Sequence, residues 1–368
     1  MSAAPAIDRS QPAIEVSNLA RVFGNFPAVN GVSFAVPHGH VVGFVGANGA
    51  GKTTTMRILA TLDYPTSGTA SLGGFNVVHH PREVRRLLGW MPDSFGTYEH
   101  MTVVEYMDFY ARALGFRGAE RAQRTREVMD FTDLTPLATR LINKMSKGQT
   151  QRLGLGRALL HDPQILIMDE PAAGLDPRAR IELKNLIRIL AQEGKTILIS
   201  SHILTELGEM CDSLLFIDRG RIVHHGDAAA LKRGGTSETL VTVQVAGDPA
   251  KLSQWALTAP HVTLADETKQ GGRLRIDSTS DDIVSGVLRR MILDGVQVVD
   301  FHREEVKLED AFIDILSQLE RGQSLPSTSP PPLPPPILPS PAAGAEGGSR
   351  LDVPPVDTNS RFIPPPST

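Results

Sequence analysis

A single cysteine, Cys211, occurs in 368 residues. A lone thiol excludes an intrachain disulfide and a cysteine-built zinc cluster, suits a reducing compartment, and reads first as a small buried apolar residue. No stretch approaches the ~20 consecutive apolar residues of a membrane-spanning helix, so any role at a membrane is expected to come through a partner. The start, Met1 to Asp8, lacks the basic residues and continuous apolar stretch of a secretory signal, and a cytoplasmic location is expected. An excess of positive charge is missing too: 37 basic against 41 acidic residues leave a formal net charge of -4. That balance lacks the one-sided field of a dedicated nucleic-acid binder, and no nucleic-acid partner is expected.

What is present is a chain that is 41% hydrophobic, enough for a substantial core. At roughly 100 to 200 residues per domain its length suggests two domains. Apolar strand-like runs alternate with helical stretches from about 14 to 230, the pattern of an α/β domain with a largely parallel sheet. Ile165 to Met168 and Thr196 to Ser200 read as strands buried on both faces. Between them Ile181, Leu183, Leu186, Ile187 and Leu190 have helical spacing from Pro177 to Gln192, and Gly194 stops the helix. About 102 to 160 is a helical insert, opened by a capping box in Thr102-Val103-Val104-Glu105. A hairpin is expected after Ser213 to Ile217, and Lys232 to Thr236 reads as a linker.

Residues 238–318 carry the order strand, helix, strand, strand, helix, strand, which predicts a small α+β domain of ferredoxin-like type. The composition then changes: 14 of the 27 prolines fall between 321 and 368. The stretch 324–368 predicts a disordered tail, with Pro330 to Pro336 in polyproline II; it reads as a spacer, or as a ligand for an SH3-like groove.

Gly46-Ala47-Asn48-Gly49-Ala50-Gly51-Lys52-Thr53 fits G-x-x-x-x-G-K-[ST] between the strand-like Val41 to Val45 and a helical run. Glycines let successive backbone N–H groups turn toward one anion, the helix N-terminus adds its dipole, Lys52 reaches the β and γ phosphates, and the Thr53 hydroxyl can ligate Mg2+. The motif implies a bound nucleoside triphosphate.

Later residues each carry a second, ordinary reading. Asp169 and Glu170 end an apolar strand, where a Mg2+-holding carboxylate and an adjacent general base would be needed, though such a pair also serves as a helix cap. Ser146-Lys147-Gly148-Gln149 opens a helix and forms either an anion site or a simple cap. Asp176 before Pro177 is an N-cap, and His202 at a strand end could be a satisfied core histidine.

Taken in order, these residues resemble the nucleotide-binding subunit of ATP-binding cassette (ABC) transporters over roughly 14 to 230. The phosphate loop is Gly46 to Thr53, the signature Met145 to Gln149, Walker B Ile165 to Glu170, the D-loop Asp176 and the switch histidine His202. The resemblance implies a P-loop NTPase cassette with ATP and Mg2+ as cofactors. It implies Glu170, His202 and Lys52 as catalytic residues and Thr53, Asp169 and Asp93 around the metal. Nucleotide contacts would come from Phe23, Gly46, Ala47, Asn48, Gly49, Ala50, Gly51, Lys52, Thr53, Thr54 and Asp93, with Phe23 stacking on adenine. Ser146, Gly148, Gln149 and Asp176 would act across a head-to-tail dimer with a second copy or a paralogous ATPase subunit.

A separate transmembrane permease is the implied partner, at the cytoplasmic face of the membrane, with Phe95 and Tyr98 near its docking groove. The C-terminal unit, ending Lys307 to Phe312, is similar to the accessory domain of ABC-2 type exporters. Two residues depart from the family pattern: Asp93 stands where glutamine is usual, and Lys147 where glycine is usual, its ammonium either solvated or near a phosphate of the partner. A soluble ABC ATPase acting in translation, nucleic-acid or iron-sulfur processes, and a regulatory ATPase, are the competing readings.

Overall fold

The computed structural model describes residues 5, 7, 9–96, 98, 100–228 and 238–304. The chain opens with a hairpin of β1 (Ile14–Phe23) and β2 (Phe26–Val36), then β3 (Val41–Val45), the phosphate loop and α1 (Lys52–Leu59). β4 (Ser67–Leu72) and the two-residue β5 (Phe75–Asn76) complete an antiparallel sheet of order β2-β1-β4-β5. The sequence pattern does not announce this second sheet. β1 is bulged around Asn18, whose φ is 49°, so its apolar alternation is broken, and β4 is mostly small and polar.

α2 (Pro81–Leu87) runs into β6 (Leu88–Met91), and the helical insert follows as α3 (Val103–Ala113), α4 (Gly118–Phe131) and α5 (Lys147–Leu159). The chain returns through β7 (Ile165–Met168), α6 (Pro177–Gln192), β8 (Thr196–Ser201), the short α7 (Leu204–Gly208), β9 (Ser213–Asp218) and β10 (Arg221–Asp227). The central sheet has the order β10-β9-β3-β8-β7-β6, parallel except for β10, which closes the predicted hairpin. All four residues of β7 are wholly buried, each side chain contributing roughly 1.5–3 kcal/mol of apolar burial.

Local signals explain the helix ends. Thr102 Oγ1 accepts the Glu105 N–H at 3.4 Å while Glu105 Oε2 accepts the Thr102 N–H at 2.8 Å, the predicted capping box. α6 starts where Asp176 Oδ2 accepts the Ala179 N–H at 3.3 Å, and it ends before Gly194, whose φ is 81°. Leu183, Ile187 and Leu190 form its buried stripe, but Ile181 is 60% exposed. Two residues from Leu183 is about 200° of rotation, so Ile181 belongs to the opposite face.

The stretch expected to form a second domain runs β11 (Thr239–Val245), the helix Ala250–Ala256, β12 (Val262–Thr268), β13 (Gly271–Ile276), the helix Asp281–Leu293 and β14 (Val298–Arg303). Its antiparallel sheet has the order β12-β13-β11-β14, the split βαβ arrangement of the ferredoxin-like fold. Val241, Val243, Leu252, Trp255, Leu274, Ile276 and Met291 form its core. β14 is displaced from the apolar stretch Val296 to Val299 that the sequence offers for it, beginning at Val298 and running on to Arg303. The linker expected at 232–236, the residues expected from 305 to 318 and the tail expected at 324–368 lie outside the described residues.

Candidate functional site

β3 is buried along its whole length and delivers the chain to a turn in which two positions have no room for a side chain. A Cβ on Gly46 would stand 2.4 Å from the Ile217 carbonyl oxygen, and one on Gly51, at φ 107°, 2.5 Å from that of Ala28. The loop can close this tightly only with glycine at both places. Ala47, Asn48 and Gly49 are its exposed crest, Ala50 tucks under it, and Thr53 and Thr54 open α1 with Thr53 exposed. Lys52, only 5% exposed, folds back: its Nζ donates to Gly46 O at 2.6 Å and Ala47 O at 3.3 Å. The same ammonium lies 3.5 Å from Glu170 Oε1.

The carboxylates come from the neighbouring strand ends. Asp169 is 2% exposed, and its N–H donates to Met91 O at 2.8 Å, which joins it to the end of β6. Ser200, at 0% exposure, donates from Oγ to Asp169 Oδ1 at 2.6 Å and accepts the Glu170 N–H at 2.8 Å. One hydroxyl thus aims the first carboxylate and holds the backbone of the second. Ser200 is a residue that sequence reasoning missed; the available signal was the pair of hydroxyls, Ser200 and Ser201, that ends the buried apolar run Ile197 to Ile199.

Glu170 itself sits at φ 48°, a left-handed conformation that costs a non-glycine residue about 1–3 kcal/mol. Its Oε2 lies 2.8 Å from His202 Nδ1, while its Oε1 is buried and has no hydrogen-bond donor among the described residues. Lys52, Asp169, Glu170 and His202, distant in sequence, are therefore one cluster.

Ser146, Gly148, Gln149 and Asp176 form a second one. Ser146 Oγ accepts the Gln149 N–H at 3.3 Å and Gln149 Oε1 accepts the Ser146 N–H at 3.0 Å, so both caps of the sequence reading exist as caps. Gly148 is wedged against α6: a Cβ there would meet Ala179 Cβ at 2.8 Å. Lys147 is exposed, yet its side chain is laid over Gly174, where a Cβ would meet its Nζ at 2.5 Å. Its ammonium, read from the sequence as either solvated or near a phosphate of the partner, lies beside the turn that leads to Asp176.

Phe23, 45% exposed at the end of β1, carries the Arg21 guanidinium over its ring at 4.5 Å, and Arg21 is ion-paired to Asp63 at 2.8 Å. Asp93 is exposed in a bend two residues past Met91, the residue bonded to Asp169. Phe95 packs on Gly154 of α5 and under Arg157, 4.7 Å from its ring, while Tyr98 is half exposed.

Among the described residues no group of three or more His, Cys, Asp or Glu side chains could hold a metal ion alone. Mg2+ does not call for such a group, since it binds through one or two carboxylates together with phosphate oxygens and water. The Asp169 carboxylate, aimed by Ser200, and the exposed Thr53 hydroxyl are ligand types on which such a set would draw.

Residues 29–173 match the family model of the ABC transporter. The probable multidrug ABC transporter ATP-binding protein YbhF of Escherichia coli is 36% identical over 294 residues, covering 79% of this chain and 49% of that protein. The chain thus spans about half the length of this relative. The Nod factor export ATP-binding protein I of Burkholderia lata is 35% identical over 256 residues, 69% of this chain and 84% of that one. A solved structure of the ATP binding subunit of an ABC transporter superposes with a TM-score of 0.55 at 30% identity, over 61% of this chain and 93% of that one. A match of 256 residues is longer than the stretch 14–230, so the likeness extends well past a phosphate loop, and the chain belongs to the ABC transporter family, among its ATP-binding proteins.

Proposed function

We propose that this chain binds and hydrolyses ATP and uses ATP-driven dimer closure to move a separate transmembrane permease, in export. The carrying observation is the Glu170 carboxylate, which is shared between Lys52 and His202 at the mouth of a glycine-lined anion loop. With nucleotide present, Lys52 exchanges the Gly46 and Ala47 carbonyls for β and γ phosphate oxygens, a charge-assisted contact stronger than the ones it leaves. Backbone N–H groups from Gly46 to Thr54 and the α1 dipole complete the cradle. Phe23 offers its free ring face to adenine.

Thr53 and Asp169 would hold Mg2+, and Asp93, two residues past the Met91 whose carbonyl is bonded to the Asp169 N–H, would join them. When bound, Mg2+ would supply charge neutralisation on the transferring phosphate. Glu170 Oε1, buried and with no hydrogen bond among the described residues, takes the proton of the attacking water, while His202 holds Oε2 so that the carboxylate keeps one orientation. Ser146, Gly148, Gln149 and Asp176 receive the triphosphate of a second copy or of a paralogous subunit, which accounts for an anion-type helix start detached from the loop.

No helix among the described residues is long and apolar enough to cross a membrane, in keeping with a peripheral position on the cytoplasmic face through the permease. Relatives named for multidrug transport and Nod factor export support the exporter reading over a role in translation. The test is Glu170→Gln in the full chain. ATP binding should persist, turnover should fall roughly 100-fold or more, and an ATP-dependent dimer should accumulate on size exclusion. Turnover at the wild-type rate would sink the role given to Glu170.

A further inference from the structure

α7 carries a buried acid that this chemistry leaves unused. Glu206, four residues after His202, has a side chain only 8% exposed. Neither of its oxygens makes a hydrogen bond among the described residues, and its compensation is the guanidinium of Arg180, whose Nε lies 2.8 Å from Oε1. Burial pushes its pKa up; Arg180 and then His202 pull it down, and Glu170 pushes it up, so the acid feels the charges of the cluster around β7 and β8. A buried carboxylate with so few partners calls for an explanation.

Arg180 supplies one, because it holds two things at once. From the first turn of α6 its Nη2 also donates to Leu175 O at 3.3 Å, the carbonyl immediately before Asp176. One guanidinium thereby joins the turn that leads into α6 to the helix that follows His202. It is also the first rung of a basic row at i, i+4 and i+8. Lys184 pairs with the Glu209 carboxylate, and Arg188 Nη2 donates to Glu209 O at 3.4 Å. The Lys184 rung ends on a carboxylate that is 58% exposed and screened by water, whereas the Arg180 rung ends on a buried one.

We propose that Arg180 and Glu206 are a positioning pair: they set the turn at Leu175 and Asp176 against the segment bearing His202, so that the Glu170–His202 contact and the Asp176 turn form in one arrangement. The proposal rests on the ATPase reading above. Glu206→Gln keeps the shape and removes the charge. Arg180→Lys keeps the charge but cannot reach two acceptors from a planar fork. The exchanged pair Arg180→Glu with Glu206→Arg restores the attraction in reverse, and Lys184→Ala serves as the exposed control.

In the full chain, Glu206→Gln and Arg180→Lys should each lower kcat for ATP about tenfold and leave KM within about twofold, because the loop from Gly46 to Thr53 is untouched. The exchanged pair should recover part of that loss, and Lys184→Ala should stay within about twofold of wild type. Amide exchange needs no turnover: without nucleotide, residues 171–176 should exchange at least about threefold faster in Glu206→Gln and unchanged in Lys184→Ala. Wild-type exchange at 171–176 in Glu206→Gln, or an equal loss of kcat in Lys184→Ala, overturns the proposal. If the exchange response is present but the wild-type chain hydrolyses no ATP, the positioning pair stands and the ATPase reading is what fails.

Discussion

The central sheet and the β11–β14 sheet both carry charged side chains, and they treat them in opposite ways. Around β7 and β8 the charges are buried: Lys52 is 5% exposed and Asp169 2%. In the second domain Arg273 bridges Asp266 and Glu304 while 40% exposed, and Arg275–Glu238 and His302–Asp300 are likewise open to water. Among its described residues, the buried set there is apolar apart from Thr239. Taking an ion out of water costs several kcal/mol even after relaxation, and one partner at 3.5 Å does not fully return it. A buried pair such as Lys52 and Glu170 is therefore a poor device for stability, whereas the second sheet keeps its pairs where water screens them and no such desolvation is incurred.

Removing one charge from the buried set breaks the contrast most sharply. Lys52→Ala should weaken binding of a fluorescent ATP analogue roughly 100-fold, about 3 kcal/mol, with little change in the melting of the second domain. Unchanged affinity would mean that the buried ammonium is structural after all. Next comes a change in the other region's core. Leu274, wholly buried against Val241 and Leu252, should cost about 2–5 kcal/mol of that domain's stability as Leu274→Ala. ATP turnover at 25 °C should stay within about twofold, and a proportional loss would show that the two regions are not independent.

How much of this was legible in the residues follows from what each feature depends on. The phosphate loop is local, since turn, lysine and helix start lie within eight residues, and β7 and β8 are continuous apolar runs that only a doubly covered sheet accommodates. The order of the second domain was legible for the same reason. The β1, β2, β4 and β5 sheet was not, because bulges at Asn18 and a polar β4 erase the period of two. Ile181 was misassigned because apolar character on a helix says nothing of direction unless the phase is counted. Within the site, Glu170 and His202 could be named from order along the chain, but Ser200, Arg180 and Glu206 could not. Their roles arise from contacts that span 20 residues or more and exist only after strands and helices pack.

The smallest effect is the most exacting check on the contrast between buried and exposed charge. Glu304 is held below the usual carboxylate range first by its hydrogen bonds from Arg273 and then, against a desolvation effect, by Thr242 and the Arg273 charge. A depressed pKa in the folded state contributes stability above the unfolded value, roughly 4.3, and that contribution disappears as pH falls through the folded value. Arg273→Ala should therefore cost less than about 1 kcal/mol in denaturant melts at pH 7. The difference from wild type should shrink at pH 3 and again in 1 M salt, where a pair this exposed is screened. A cost comparable with that of Leu274→Ala, or one indifferent to pH and salt, would show that Arg273 acts by packing its stem across the sheet, and exposure would then not separate the working charges of this chain from the ornamental ones.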